Sequence, residues 1–569
     1  MAVDYISLWV EQHERANRRK EIWNDGRSFW EDPRNIRRFV DRLMAGEGSR
    51  VEGQLAAMQI PVGSTVLDIG AGPGSLAVPL ALAGCRVTVV EPSAGMRAAM
   101  EEYREAAGAP EIRVIPSRWE DADPGEVGRH DVVVASFSLG LDDIDLSLKK
   151  IDSAAKHAVH LFWFLTPPAW TRANIVLWPE LHGGEFAFEP TADLLWNCLC
   201  QLEIHPNITV EHVKKGQCYP TMEEVVADYC RRLHVRDDDG REIVTSFVRE
   251  RLMQTEAGFC VPGTSKTAHI WWEKGSREPD CARWDRMCHT DPGTAIDYIS
   301  LWDGQHARSL AQKGRMGEGS GKFWSNQDVV DRFVRNLISG DRSRIEDQIA
   351  GMLIPPGSSV LDIGAGPGTL AVPLALAGCR VTVVEPSVPM GEAMEDYRRM
   401  VNAPAIRAIR SRWEDVSPEE AGVHDVVVAS RSLSMGDIRD SLLKMDAAAR
   451  RAVHLYWFLP SLSGAGGSVE LWPALHGEPY CEEAGADVLW NALCQLGIYA
   501  DLQVETKGRR RCYSSLEELK QDYYNRLSAT EDWQREIVDA FLLERAAPEG
   551  SGHVVPGHSR SVHIWWEKE

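Results

Sequence analysis

Apolar residues fall along this chain in short blocks separated by stretches of helical composition. Residues 66–69, 86–91, 112–115, 131–135 and 158–164 are apolar runs, mostly β-branched or aromatic, with the length of buried strands. Between them, 76–83 and 94–107 have the composition of helices, and a further helix over 222–233 and a strand over 267–273 follow. This alternation predicts a parallel sheet with helices on both faces, because parallel neighbours need a crossover and the crossover lies on a sheet face. Residues 1–57 place Ile36, Phe39, Val40 and Leu43 on one side and predict an amphipathic helical cap.

The pattern is written twice. Residues 64–91 and 358–385 agree at 26 of 28 positions at an offset of 294, the exceptions being Thr65/Ser359 and Ser75/Thr369. Trp119-Glu120-Asp121 returns as Trp413-Glu414-Asp415, the run 130–136 as 424–430, and 269–274 as 563–568. The opening DYISLW at 4–9 returns at 297–302, one residue out of step. A period this long is a whole domain rather than a solenoid unit. Residues 275–292 are polar, have no counterpart elsewhere and read as a linker. The expected organisation is therefore a tandem duplication: domain 1 over 1–274, linker over 275–295, domain 2 over 296–569. Two such lobes could pack as an intrachain pseudo-dimer.

Charge narrows the partners. Against 62 Lys and Arg stand 84 Asp and Glu, a net charge of −22. Phosphate backbones and anionic lipids recruit clustered positive charge, so neither nucleic acid nor a membrane surface is the expected partner. The long uncharged run 69–85 is studded with glycine and proline and cannot be a spanning helix. Asp4, Glu11 and Glu14 interrupt the start, which has no apolar stretch of the signal-peptide kind. Twelve cysteines include no CxxC pair, and Cys198-x-Cys200 lies in an apolar, helix-like run where core thiols are expected. These features predict a cytoplasmic protein with reduced thiols and no metal site.

Asp68-Ile69-Gly70-Ala71-Gly72-Pro73-Gly74 ends a predicted strand and opens a predicted helix. Glycines there allow an unusual turn and let a ligand approach bare backbone. The dinucleotide pattern GxGxxG would need glycine at 75, where Ser75 and, in the second copy, Thr369 stand, so the pattern is GxGxG. Glu91 closes the second strand 21 residues after Gly70, the place for a carboxylate that accepts hydrogen bonds from both ribose hydroxyls. A ribose is supported and a pyrophosphate is not. A tight turn with no ligand is the plain alternative.

DIGAGPG, then VVEPS, WED and HDVVVAS, in that order and twice, resemble the class I S-adenosylmethionine-dependent methyltransferases over 64–164 and 358–458. The resemblance implies an α/β protein of two tandem Rossmann-like domains. Each would be a mostly parallel seven-stranded sheet flanked by helices under an N-terminal helical cap, with S-adenosyl-L-methionine as cofactor. It implies that Asp68, Gly70, Gly72 and Gly74 line the methionine end, Glu91 holds the ribose, the Trp119-Glu120 segment faces the adenine, and Ser136 faces the reacting end. The second copy offers Asp362, Gly364, Gly366, Gly368, Glu385, Trp413, Glu414 and Ser430. Arg118 and Arg412 stand where many members carry an acid, which leaves the adenine contact to Glu120, Asp121 or backbone.

Within that family, motifs also exclude acceptors. Residues 133–139 read VVASFSL, with no Asn-Pro-Pro-Tyr or Asp-Pro-Pro-Tyr for amino methylation and no Pro-Cys for cytosine C5 chemistry. The remaining expectation is methyl transfer to a small-molecule O, N or S nucleophile. The alternative is a scaffold or sensor in which one or both copies only bind cofactor. Polar and aromatic candidates beyond the fourth and fifth strands are His160, Trp163, Trp178, Glu180 and His182, and in copy two His454, Trp457, Trp472 and His476. His160 lies in an apolar strand and reads as a core histidine. His182 and His476 share the frame LWPxLHG, read as a loop, and are the candidate catalytic bases, because an imidazole near neutrality can take a proton. The tryptophans read as core, including Trp196-Asn197 and Trp490-Asn491 on a helix, with a wall for a flat substrate as the alternative for Trp178 beside Pro179. The copies differ at this rim: Phe137/Arg431, Asp142/Gly436, Trp170/Gly464 and Glu180/Ala474.

Overall fold

Valine-rich runs such as RVTVV can only be strands buried on both faces, and that burial dictates the architecture. The computed structural model describes residues 3–23, 33, 36–37, 40, 49–168, 171–214, 217–255, 258–261, 263–274, 296–315, 327, 330, 343–459, 467–549 and 552–568. Phe39, Leu43, the Trp170/Gly464 pair and the linker lie outside them. The chain divides into two compact units, Met1–Thr294 and Ala295–Glu569.

The first unit opens with helices α1 (Tyr5–Trp23) and α2 (Ser49–Met58). The alternating core follows: β1 (Thr65–Ile69), α3 (Ala77–Leu82), β2 (Arg86–Val90), α4 (Ala94–Ala107), β3 (Arg113–Ile115), α5 (Pro124–Val127), β4 (His130–Ser136), α6 (Ile144–Ala154) and β5 (Ala155–Phe164). Then come α7 (Arg172–His182), α8 (Ala192–Gln201), β6 (Asn207–Lys214), β7 (Gln217–Tyr219), α9 (Met222–Arg232), α10 (Asp238–Arg251), β8 (Met253–Thr255), β9 (Gly258–Val261) and β10 (Thr264–Glu273). The main sheet of this unit runs β3-β2-β1-β4-β5-β10-β6. β2, β1, β4 and β5 pair in parallel, and β10 is antiparallel to both its neighbours.

Local chemistry sets the helix ends. Ser93 caps α4 by accepting from Met96 N, Asp143 caps α6 by accepting from Leu146 N, and Gly108, at φ 65°, ends α4. The core beneath α3 and α4 joins Val66, Val87, Val89, Val134 and Phe162 to Leu76, Val78, Leu80 and Met100. Val51 and Leu55 of α2 pack on it, so the described part of the N-terminal segment is a cap.

A smaller sheet, β7-β9-β8, joins α7, α9 and α10 in a lobe with its own core, including Leu177, Trp178, Val225, Tyr229, Val244 and Val248. Two sequence expectations are corrected here. The LWPELHG segment is not a loop: Pro179 lies inside α7, which runs on to His182 before Gly183 stops it. A proline removes one backbone donor, and burial of Ala173, Leu177 and Trp178 against the lobe outweighs that loss. The thiols are not all reduced either, since Cys218 on β7 and Cys260 on β9 stand opposite each other and form a disulfide.

The second unit repeats the order: α11 (Tyr298–Arg315), α12 (Ser343–Gly351), β11 (Ser359–Ile363), α13 (Ala371–Leu376), β12 (Arg380–Val384), α14 (Val388–Met400), β13 (Arg407–Ile409), α15 (Pro418–Ala421), β14 (His424–Ser430), α16 (Ile438–Ala448) and β15 (Ala449–Phe458). It continues with α17 (Ser468–His476), α18 (Ala486–Gln495), β16 (Asp501–Tyr513), α19 (Leu516–Leu527), α20 (Asp532–Arg545), β17 (Ala547–Glu549) and β18 (Gly552–Glu567). Its sheet runs β13-β12-β11-β14-β15-β18-β16. Here β16 and β18 form one long ladder, and the residue opposite Cys512 is Val554, where the first unit has Cys260 opposite Cys218.

Candidate functional site

The end of β1 hands the chain to a loop in which the glycines do different jobs. Gly70, at φ 67°, lies so close to Ser138 that a Cβ would sink into the Ser138 side chain, and Ser138 Oγ donates to Ile69 O at 2.5 Å. A Cβ on Gly74 would stand 2.6 Å from Met100 Cγ, so that glycine serves helix packing. Gly72, at φ 55°, faces open space instead, with nothing within 4 Å of where a Cβ would be. Gly364, Gly368 and Gly366 repeat all three situations. The loop is thus clamped at both ends and leaves a bare backbone cradle in the middle.

Two carboxyls border that cradle. Glu91, just past β2, accepts from Gly72 N through Oε2 and from Ser93 N through Oε1, each at 2.8 Å. Burial raises its pKa, and these two backbone donors pull the other way. Asp68, 2% exposed, is pushed up to about 7 by burial and then by the Glu91 charge. Glu385 and Asp362 reproduce this, with Gly366 N and Ser387 N on Glu385 at 2.8 Å and Asp362 raised to about 7. Carboxyls held in such a dry corner favour ligands that bring hydroxyl or ammonium donors.

The other expected cofactor residues separate. Ser136 ends β4 beside the loop and receives Gln54 Nε2 of α2 at 3.2 Å, while Ser430 occupies the same end of β14. Glu120 Oε1 accepts from Arg118 at 3.4 Å, and Arg118 also reaches Asp142 at 3.0 Å, which ties the loop after β3 to the loop after β4. In the second unit Arg412 pairs with Glu414 at 3.0 Å, and Gly436 replaces Asp142. Within the segments expected to face an adenine, the Trp119 and Trp413 side chains themselves turn inward. Both are nearly fully buried, donate through Nε1 to Ser147 O and Ser441 O, and lie under Lys150 and Lys444. Packing against α6 and α16 turns these indoles inward.

His182 and His476 lie at helix ends. His182 Nε2 donates to Leu233 O at 2.7 Å and its ring packs 4.4 Å from Trp178; His476 does the same to Leu527 O at 2.8 Å and Trp472 at 4.1 Å. These contacts belong to the lobe, not to the glycine loop. His160 is a core residue, hydrogen-bonded through Nδ1 to His269 Nε2 at 2.9 Å. Burial pulls the pair down to about 4 and about 3, so both rings are neutral at physiological pH.

Sequence reasoning missed His13. On α1, its Nδ1 stands 2.8 Å from Glu189 and its Nε2 3.3 Å from Asp142, which pins the N-terminal helix over the loop after β4. The signal was present, since the opening motif DYISLW is followed by a histidine in both copies, His13 and His306. Among the described residues no group of three His, Cys, Asp or Glu could hold a metal ion, and no helix is long and apolar enough to cross a membrane.

Residues 66–158, from the start of the glycine-loop strand into β5, match the family model described as methyltransferase domain. The chain carries a class I, S-adenosylmethionine-dependent methyltransferase fold. An uncharacterised protein of Haemophilus influenzae is 29% identical over 237 residues, 41% of this chain and 85% of that one. A ribosomal RNA small subunit methyltransferase G of Mycolicibacterium gilvum is 31% identical over 173 residues, 30% of this chain and 66% of its own length. The Rhodococcus jostii protein of that name is 30% identical over 130 residues, 19% of this chain and 55% of its own. The chain thus spans between about half and two thirds of the length of these last two relatives. Among solved structures, a putative methyltransferase from Bacillus halodurans C-125 (11% identity, TM-score 0.30) covers 40% of this chain and 100% of its own. Magnesium protoporphyrin IX methyltransferase from Synechocystis PCC 6803, solved with bound SAH (14% identity, TM-score 0.25), covers 47% and 99%.

Proposed function

We propose that each unit binds one S-adenosylmethionine and that the chain transfers its methyl group to a small-molecule acceptor. The observation that carries this reading is the open backbone cradle at Gly72 and Gly366, each flanked by a buried acid on the adjacent strand end. The residues fit the cofactor's chemistry. Gly72 leaves room against bare backbone, Glu91 offers acceptors for ribose hydroxyls, and Asp68 is a carboxyl for an ammonium or hydroxyl donor. Bound there, the cofactor would supply a sulfonium-activated methyl group. Gly72, Glu91 and Asp68 would hold that cofactor, and the chain would place the acceptor beside it and let any acceptor proton leave to a base or to water. The chain's task is alignment, which contributes much of the rate in such a transfer.

His182 and His476 act in this proposal by fixing α7 and α17 to the lobe rather than by taking the proton, because their contacts with Leu233 O and Trp178, and with Leu527 O and Trp472, lie in the lobe and not at the glycine loop. The names of the two ribosomal RNA relatives favour a second reading, with RNA as acceptor; the net charge of −22 speaks against it. A cytoplasmic site of action belongs to the proposal, and thiol titration of freshly isolated protein checks whether the Cys218–Cys260 bridge exists there. Titration calorimetry with S-adenosylhomocysteine should find two sites per chain. Glu91→Ala should weaken one of them by about 1–3 kcal/mol, the scale of losing hydrogen bonds to a charged acceptor. A single site in the intact chain would refute the two-site reading. Methyl transfer to purified ribosomal RNA, with none to small molecules, would replace the acceptor class.

A further inference from the structure

We propose that the residue following the fourth strand, Phe137 in the first unit and Arg431 in the second, sets the acceptor class. By this assignment the units methylate different molecules: the first an uncharged, flat apolar acceptor, the second an acceptor bearing a carboxylate or phosphate. The inference rests on the methyl-transfer reading above and goes beyond it.

Both residues have left-handed backbone geometry, φ 55° at Phe137 and φ 57° at Arg431, which a bulky side chain adopts only when its surroundings force it. The forcing contacts are the same in both units. Phe137 N donates to Phe162 O, and Arg431 N to Tyr456 O, each at 2.9 Å. One residue further on, Ser138 and Ser432 close onto Ile69 O and Ile363 O at 2.5 Å, packed where Gly70 and Gly364 leave no room for a Cβ. The turn is therefore anchored to the cofactor loop on one side and to the fifth strand on the other. Glu91 and Glu385 lie just past the strand at the opposite flank of the glycine loop, which leaves the side of residue 137 or 431 for an acceptor.

A strained turn kept twice while its side chain changes from aromatic to cationic is what divergence of specificity on a fixed scaffold looks like. In the first unit the Phe137 ring lies 4.6 Å from Phe164, and the Arg50 guanidinium lies 4.6 Å from the Phe137 centroid, an aromatic wall suited to a flat apolar face. In the second unit the Arg431 guanidinium lies over Phe458, 5.4 Å from its centroid, and Phe458 is 43% exposed. The neighbours Gln54, Ser136, Phe164 and Glu211 keep their identity as Gln348, Ser430, Phe458 and Glu505. The exchange thus adds one positive charge beside residues that keep their identity. Guanidinium groups recognise carboxylate and phosphate with paired hydrogen bonds, which a phenylalanine cannot offer.

The test uses the full chain with one unit silenced at a time: Gly72→Asp leaves the second unit, Gly366→Asp the first. Each protein is incubated with the small-molecule fraction of a cell extract and methyl-labelled S-adenosylmethionine, and the labelled products are separated on an anion exchanger. Label from the second unit should be retained and label from the first should flow through. In the Gly72→Asp protein, Arg431→Phe should cut the retained label by about 10-fold or more, with S-adenosylhomocysteine still bound by calorimetry. In the Gly366→Asp protein, Phe137→Arg should move label into the retained fraction, a gain that misfolding cannot produce. Equal charge distributions from the two units, or products unmoved by both exchanges while S-adenosylhomocysteine still binds, would overturn this inference alone. Failure of the wild-type chain to bind S-adenosylhomocysteine would overturn the methyl-transfer reading, and this inference with it.

Discussion

Gly70→Ala and Gly72→Ala should fail in opposite ways. Each puts a methyl group on a residue with φ between 55° and 67°, and alanine in that region costs about 1–2 kcal/mol. At Gly70 the new Cβ also collides with the Ser138 side chain, which is held by its bond to Ile69 O, so overpacking adds about 1–3 kcal/mol. At Gly72 nothing lies within 4 Å, so the folded protein loses only the backbone term. The cofactor meets the opposite ranking, because the Gly72 methyl group occupies the cradle itself. Displacing a close ligand contact by about 1–3 kcal/mol weakens binding roughly 5–150-fold. Scanning calorimetry of the first unit's transition should therefore show Gly70→Ala melting well below Gly72→Ala. Each 1 kcal/mol corresponds to about 2–4 °C in a unit of this size. Titration with S-adenosylhomocysteine should show one tight site and one weakened or lost site in Gly72→Ala, with the second unit as internal control. If Gly72→Ala retains two unchanged sites, or is the less stable of the two variants, the division of labour between these glycines is wrong.

Further outcomes follow from the buried groups. His160 and His269, and their counterparts His454 and His563, have folded pKa values pulled down to about 4 and about 3, so between roughly pH 6.5 and 4 the unfolded chain binds more protons than the native one. Stability should fall as pH drops through that window, and His269→Gln should flatten the acid limb of a melting-temperature profile; an unchanged limb would show that the pair does not drive it. Asp68, raised to about 7, has the opposite sign: its burial costs stability above its unfolded value near 3.8. Asp68→Asn should therefore melt higher than wild type at pH 8 while binding S-adenosylhomocysteine more weakly. Reducing the Cys218–Cys260 bridge, which closes a 42-residue separation, should destabilise the first unit by about 2–4 kcal/mol and leave the second unit's transition in place. His182→Phe should lower the first unit's stability by about 1–2 kcal/mol and leave the pH profile of methyl transfer unmoved; a lost limb in that profile would restore the histidine as a base.

The cofactor loop was legible because its chemistry is local. GxGxG, the strand before it and Glu91 sit within a few tens of residues, and repetition at a fixed offset separated signal from accident. The bond between Glu91 and Gly72 spans only 19 positions. The strands of the parallel sheet were readable for a similar reason, since burial on both faces leaves a continuous apolar run that needs no partner to be recognised. What the sequence could not decide is what depends on which distant surfaces meet. Whether Trp119 turned toward a ligand or toward the core was settled by α6, whose Ser147 carbonyl and Lys150 claim the indole. Pro179 reads as a breaker in isolation, and only the lobe's apolar core makes a helix through it worth forming. Cys218 and Cys260 become a pair only when β7 and β9 align, and His13 gains its two carboxylates only when α1 crosses segments more than a hundred residues away. Element identity follows from periodicity along the chain, whereas a side chain's role follows from its neighbours in space, which tertiary packing alone supplies.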